Sequence, residues 1–244
     1  KKGFTSLIGL AFSMLVIIKF ILPQIVAGRS PLMMSLIGSF VILFVALYLA
    51  HGFNKRTNVA LVGTGITLIL SALFAVFAVS VSKLFGLGSE EAISLLQGEF
   101  QHINLQGLFL GGVIISALGV LDDVTTAQSA TVAEIHRANP NLNAKELYKR
   151  GHAVGKEHIA SLINTLALAY AGASLPLMLI FTKVDFPLWV NLNSEFLMEE
   201  FIRTIVGSTA LILAVPITTI IAAKVFENHK VDEGDTEPYC THVH

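Results

Sequence analysis

The chain has 244 residues, of which 54% are hydrophobic and only 14% are charged, and its formal net charge is -1. Its mean hydropathy of +0.72 lies well above the range of soluble domains. This composition predicts an integral membrane protein whose main partner is the lipid bilayer. It argues against nucleic acid as a partner, because phosphate binding needs an excess of basic residues. The single cysteine can form no internal disulfide.

Six segments are apolar and long enough to cross a hydrocarbon core of about 30 Å, which takes about 20 residues of helix. The predicted spans are 4–22, 32–50, 57–82, 105–121, 159–182 and 201–223. The fourth span is expected to continue beyond its listed end. The predicted fold class is therefore all-α, a polytopic transmembrane helical bundle of about six spans. We expect a helical domain over residues 1–226 and a polar, disordered tail over residues 227–244.

Lysine and arginine residues are concentrated in the connections at one end of the predicted bundle. They lie in connections 51–56 and 122–158 and in the tail, whereas connections 84–104 and 183–200 at the other end carry mostly acidic residues. Because cytoplasmic loops of membrane proteins are enriched in lysine and arginine, we expect both termini of this chain to lie in the cytoplasm.

The long connection between spans four and five is predicted to contain a cytoplasmic amphipathic helix. Pro140 ends the preceding structure, and Asn143 with Glu146 three residues later has the spacing of a capping box. The apolar residues that follow share one helical face, so we expect this helix to lie in the cytoplasmic headgroup region. The residues of that face are Ala144, Leu147, Tyr148, Gly151 and Val154.

The main candidate site lies where the fourth apolar stretch meets this connection, at the adjacent carboxylates Asp122 and Asp123. If the helix continues, Asp122 shares a face with Thr126 and Ser129, and Asp123 shares one with Glu134. Charges inside a span are costly and usually functional, and paired carboxylates at a low-dielectric boundary suit a proton relay. The alternative is a span that stops before the pair, in which case the two aspartates cap the next helix in water.

Asn164 and Thr165 lie near the start of the fifth span, ahead of small residues that would allow another helix to approach closely. The stripe of small residues comprises Thr165, Ala169, Gly172, Ala173 and Pro176, and the fourth span offers Gly107, Gly111 and Gly112. We therefore predict that spans four and five pack together and bring Asn164 and Thr165 towards the aspartate pair. The alternative role of both polar residues is to form interhelical hydrogen bonds.

The candidate residues for a proton, ion or substrate pathway are Asp122, Asp123, Thr126, Ser129, Glu134, Asn164 and Thr165. No cofactor is implied. Cys240, His242 and His244 near the chain end could touch a metal ion, but a short flexible cluster lacks supporting side chains, so we expect no metal site. The metalloprotease, serine-hydrolase and phosphate-loop motifs are missing from the sequence, and we therefore expect no enzymatic activity.

Several spaced motifs resemble, in order, those of the YibE/F family of bacterial multipass membrane proteins. They are 52–56, 119–134, 139–142, Glu146-Leu147, Gly151, Gly155 and 164–176. The resemblance covers nearly all of the chain up to about residue 225 and implies the bacterial cell membrane. Family members also carry an N-terminal span and an extracytoplasmic domain, so the resemblance implies that this chain lacks both. The family pattern has one aspartate where this chain has two, and its spacing to Glu134 favours Asp123.

A weaker similarity is to the fourth and fifth spans of proton-driven RND-type proteins, including the SecD/SecF pair. It rests on a span of small residues that ends in an aspartate, a cytoplasmic amphipathic helix, and a span that opens with Asn164, Thr165 and Leu166. This resemblance implies that Asp122 or Asp123 carries protons, and it fixes no substrate.

These observations lead to a prediction and an alternative. We predict a secondary, proton-coupled transporter or permease of an unidentified small solute or ion. The alternative is a membrane scaffold or accessory factor that transports nothing and anchors an extracytoplasmic domain. The spacing of Gly107 and Gly111 suits packing within the chain, a homo-oligomer or a partner membrane protein equally well.

Overall fold

The computed structural model describes residues 2–98, 100–183 and 187–227. Within these ranges the chain forms helices and no β-strand. The helices are α1 (Lys2–Val16), α2 (Leu22–Val26), α3 (Pro31–His51), α4 (Lys55–Ser82), α5 (Glu90–Gln97), α6 (Leu105–Ala138), α7 (Ala144–Ala173), α8 (Leu175–Phe181), α9 (Leu188–Leu192) and α10 (Glu195–Glu227). A π-helical turn, Ile17–Ile21, joins α1 to α2. The predicted tail beyond residue 227, with Cys240, His242 and His244, lies outside the described residues.

Five of the helical segments in the described part of the chain are long and apolar enough to cross a membrane. They are Leu7–Val26, which runs through α1, the π-helical turn and α2, and the helices α3, α4, α6 and α10. The pair α7 and α8, bent by 61°, makes a sixth if the two helices cross together as one broken span. The prediction of an all-α, polytopic bundle is confirmed.

Short polar side chains define where several helices begin. Each accepts a hydrogen bond from a backbone N–H in the first turn of its helix, which satisfies one of the amides that a helix start leaves unpaired. The pairs are Asn54 with Thr57, Ser89 with Ala92, Asn104 with Gly107, and Asn143 with Glu146. The last pair forms the capping box that the sequence predicts.

Helices α4, α6 and α10 pack against one another and form the centre of the bundle. Helix α7 packs on α6 and α10, and α3 packs on α6, while α1 lies at the periphery against α3. We call the two ends of the bundle the basic end and the acidic end. The basic end comprises residues 51–56, 138–145 and 224–227, and the acidic end comprises residues 26–31, 83–90 and 192–199.

The amphipathic segment predicted between spans four and five is not a separate helix. It is the first half of α7, which continues without a break into the fifth span. Leu147 is fully buried, and a side chain at Gly151 would meet Val132 of α6 and Thr219 of α10. The apolar face therefore packs on the bundle. The predicted position of this face in the headgroup region is wrong, although Val154 remains 52% exposed.

The small residues expected to join spans four and five do not do so. A side chain at Gly172 would meet nothing within 4 Å, and Ala169 and Ala173 are exposed. On α6, a side chain at Gly111 would collide with Ser35 of α3. Spans four and five instead meet near the basic end, where Gly151 and Gly155 lie against α6, so the predicted packing surface is wrong.

Candidate functional site

The aspartate pair lies in the interior of a continuous helix. Helix α6 begins after its cap Asn104 and runs unbroken to Ala138. Asp122 is about 26 Å along the axis from Leu105, at 1.5 Å per residue. A hydrocarbon layer of about 30 Å measured from the same point would include it. The alternative in which the pair caps a following helix is therefore wrong.

The two neighbouring carboxylates have different surroundings. Asp122 is half-buried and Asp123 is exposed. The Oδ1 atom of Asp122 is fully buried and has no hydrogen-bond partner in the part of the chain that the structure describes. The hydroxyl of Thr126, one turn further along the same face, is also buried without a partner among the described residues. Unpaired buried oxygens are costly. This face of α6 therefore carries polar atoms that packing alone does not explain.

His51 is the titratable side chain that the sequence did not single out. It is the last residue of α3, and it interacts electrostatically with Asp122. Imidazole can take up or release a proton near neutral pH. In the sequence, His51 stands directly before the 52–56 motif. That position does not show that the connection lies beside α6, so the residue was not singled out.

Buried hydroxyl groups continue from Asp122 into the centre of the bundle. The hydroxyl of Thr125 lies 2.5 Å from that of Thr64 on α4 and donates to the backbone carbonyl of Asp122, not to its carboxylate, at 3.3 Å. The hydroxyl of Thr218 on α10 is buried without a partner among the described residues. The buried hydroxyl residues of the three central helices are Thr57, Thr64, Thr67, Ser71, Thr125, Ser129, Thr218 and Thr219.

Gln128 fixes α6 to two neighbouring helices. Its Nε2 group donates to the carbonyl of Gly151 on α7 at 2.8 Å and to the hydroxyl of Thr219 on α10 at 2.7 Å. The residue is 4% exposed. Two bonds from one buried amide hold the register of three helices. Sequence reasoning missed this residue because a glutamine carries no charge pattern or motif of its own.

Two predicted site residues instead hold α6 to the start of α4. Ser129 donates to the carbonyl of Arg56 at 2.9 Å. Glu134 forms ion pairs with Arg56 at 2.9 Å and with Arg137 at 3.1 Å. The Glu134 side chain is 52% exposed, so these ion pairs add little stability. Ser129 and Glu134 therefore share the helix with Asp122 but have partners of their own.

Asn164 and Thr165 do not come together with the aspartates. Both side chains are exposed, and Thr165 donates to the carbonyl of Ser161 in its own helix at 3.1 Å. None of the hydrogen bonds of the described residues joins either side chain to Asp122 or Asp123. The buried contacts of α7 are made by other residues, such as Ile159 and Leu166, so the predicted approach is wrong.

At the acidic end, two glutamates of α10 hold the connection between α4 and α5. The Oε1 atom of Glu195 accepts hydrogen bonds from the backbone N–H groups of Phe85, Gly86 and Leu87, at 2.5, 2.7 and 3.1 Å. Consecutive amides that converge in this way form an anion-binding nest. Glu199, 5% exposed, accepts from the N–H of Gly88 at 2.8 Å. The sequence showed only that this end is acidic.

Replacing Glu195 by alanine is expected to release the loop that its carboxylate holds. Three amides lose a charged acceptor, so their hydrogen exchange should become about 100-fold faster. The measurement is exchange mass spectrometry of the peptide that contains residues 85–87. Glu91→Ala is the control, because Glu91 lies at the same end and is exposed. Equal exchange in the two variants would contradict the role assigned to Glu195.

The described residues contain no group of three or more histidine, cysteine or acidic side chains that could hold a metal ion. No curated protein and no solved structure matches the chain, so the similarity to RND-type proteins has no support beyond its motifs. The YibE/F-like protein family matches residues 1–228, which is nearly the whole chain and includes α1 to α10. This integral membrane protein therefore belongs to the YibE/F-like family.

Proposed function

We propose that this protein is a proton-coupled secondary transporter of a small solute or ion, in which Asp122 is the group that binds the coupling proton. The observation that carries the proposal is the buried Oδ1 of Asp122, which has no hydrogen-bond partner among the described residues and lies inside a continuous helix long enough to span a membrane. A carboxylate without a partner in a span is expensive to keep. A proton-carrying role would explain this cost, because such a carboxyl group must exist both with and without a proton.

Asp122 lies between a side that is exposed to water and a side that faces the core of the bundle. Asp123 and His51 are exposed and their charges act on the half-buried Asp122, so the side of Asp122 on which they lie is the one open to water. On the other side, the Thr125 and Thr64 hydroxyls lead into the core. Hydroxyl groups both donate and accept hydrogen bonds, which is what a proton path needs.

A change in the charge of Asp122 would act on the packing of the central helices. Asp122 lies one turn before Thr125, whose hydroxyl touches α4, and Gln128 on the same helix is bonded to α7 and α10. A ligand drives a conformational change only by binding two states differently. A proton on Asp122 meets this condition, because the neutral and charged forms differ greatly in the cost of burial.

We infer that the basic end faces the cytoplasm of a bacterial cell. Arg56 and Arg137 lie there together with the basic first half of α7, and lysine and arginine are enriched on the cytoplasmic side of membrane proteins. Protons from the outside would then reach Asp122 through the core, and His51 and Asp123 would release them inwards.

The test is infrared spectroscopy of the protein reconstituted in lipid, recorded over a range of pH. A protonated carboxyl group has a carbonyl band separate from that of a carboxylate. We expect such a band in the unmodified protein and its loss in Asp122→Asn. Glu134→Gln is the control, because it removes a carboxylate that is half-exposed and ion-paired.

The band should remain in Glu134→Gln and in Asp123→Asn. If Asp123→Asn abolishes the band instead, Asp123 carries the proton, and the assignment of this role to Asp122 is wrong. If the unmodified protein shows no such band at any pH at which it stays folded, Asp122 binds no proton. The hypothesis of a scaffold that transports nothing would then be favoured.

A further inference from the structure

The predicted fifth span, which corresponds to α7 and α8, is bent near the acidic end. Helix α7 ends at Ala173 and α8 starts at Leu175, with an angle of 61° between them. Pro176 is the second residue of α8 and has no N–H to continue the hydrogen bonds of α7. The two helices therefore diverge around Ser174, and α10 passes in front of the gap.

A cavity of about 180 Å³ lies in this gap. Its walls are formed mainly by apolar side chains of α7, α8 and α10, among them Ala167, Ala171, Met178, Leu197 and Phe201. A water molecule takes about 30 Å³ of liquid volume and a methylene group is of similar size. The cavity is smaller than the pockets of drug-sized ligands, which take about 300 Å³ or more, and large enough for part of a hydrocarbon chain.

Thr204 and Glu200, two of the polar residues around the cavity, have partners of their own. Thr204 donates its hydroxyl to the carbonyl of Glu200 at 2.8 Å. The carboxylate of Glu200 lies 3.6 Å from the Arg203 guanidinium. Most of the surface that lines the cavity is apolar, so an apolar occupant fits its walls better than a solute or an ion.

The helices that line the cavity carry exposed apolar side chains. Met178 and Phe201 line the cavity and are 38% and 45% exposed, and Leu168, Leu175 and Leu179 on the same bent helix pair are each more than 60% exposed. In a helix bundle that crosses a membrane, such a surface faces lipid. The cavity is therefore continuous with the lipid-facing surface, so the hydrocarbon tails of the bilayer reach its mouth directly.

We propose that the cavity between α7, α8 and α10 binds one acyl chain of a bilayer phospholipid, which wedges the bent span against α10. The chain fills space that protein side chains leave empty and covers the apolar walls around Ala171 and Phe201. This site is separate from Asp122 and holds whether or not the protein carries protons.

Native mass spectrometry tests this proposal on the full chain extracted from vesicles of palmitoyl-oleoyl phosphatidylcholine. Detergent is exchanged until the unmodified protein keeps its most persistent lipid. Ala171→Phe places a ring in the cavity, and we expect the fraction of protein with one bound phospholipid to fall about tenfold, because several methylene contacts are lost. Ala167→Leu fills the cavity less and should give a smaller fall.

The matched control is Ala169→Phe, which adds the same ring to an exposed position of the same helix and should leave lipid retention unchanged. Equal retention in Ala171→Phe and Ala169→Phe would overturn the proposal, and so would a retained molecule with the mass of a free fatty acid. If Ala171→Phe fails to fold, Ala167→Leu decides, because unchanged retention in that variant contradicts the site.

Discussion

Replacing Gly155 by alanine is expected to lower the free energy of unfolding by about 3 kcal/mol. The new Cβ atom would lie 2.5 Å from Oε1 of Gln128 and 2.5 Å from Cγ1 of Val215. Gln128 cannot turn away without cost, because its amide is already bonded to Gly151 and Thr219. Either α7 moves away from the bundle or two buried hydrogen bonds are lost.

Thermal or denaturant unfolding in one detergent, followed by circular dichroism, measures this effect. Gly172→Ala is the matched control, because Gly172 lies in the same helix and a side chain there meets nothing within 4 Å. Alanine in a helix is favoured over glycine, so the control should be neutral or slightly stabilised. If the two variants unfold alike, the contact of Gly155 with Gln128 and Val215 does not hold α7 in place.

The positions of the spans could be predicted from the sequence because they depend on local composition. The second span, predicted at 32–50, is α3 (Pro31–His51), and the third, predicted at 57–82, is α4 (Lys55–Ser82). The cap at Asn143 was also visible, since a capping box is formed by residues three apart. These features need no knowledge of the neighbouring helices.

The helix partners could not be predicted, because a glycine in the sequence does not show which surface it faces. Gly172 lies in the apolar part of the span and suggested close packing, yet its surroundings are open. Gly151 and Gly155 lie among charged residues and suggested a surface helix, yet both are buried. The hydrogen bonds of Gln128 and the burial of Leu147 determine where α7 packs. Both are tertiary contacts, which the local sequence does not show.

The sequence also could not predict which of the two aspartates is the more buried. Adjacent residues on a helix point about 100° apart, so one can be buried while the other is exposed. The spacing to Glu134 favoured Asp123, but in the bundle Asp122 is half-buried and Asp123 is exposed. The sequence located the pair and its face, whereas the rotation of α6 within the bundle, which the sequence does not reveal, selects the residue.

Replacing Asp122 by asparagine is expected to raise the free energy of unfolding by about 2 kcal/mol. The change keeps the shape of the side chain and removes a charge whose Oδ1 is buried without a partner among the described residues. It also removes the repulsion from Asp123. Unfolding in the same detergent near neutral pH gives the measurement.

Asp123→Asn is the control for this prediction, since its side chain is exposed and the change should stay within about 0.5 kcal/mol. If Asp122→Asn is instead neutral or destabilised, contacts of the carboxylate stabilise the fold, and its burial is no reason to assign it a role in proton transfer. A stabilised variant that has lost the infrared carboxyl band would show that the fold gives up stability to keep this group, as functional sites commonly do. In that case the charge of Asp122 would make the packing of α6 less stable. Its role would then be to bind the proton and not to stabilise the fold.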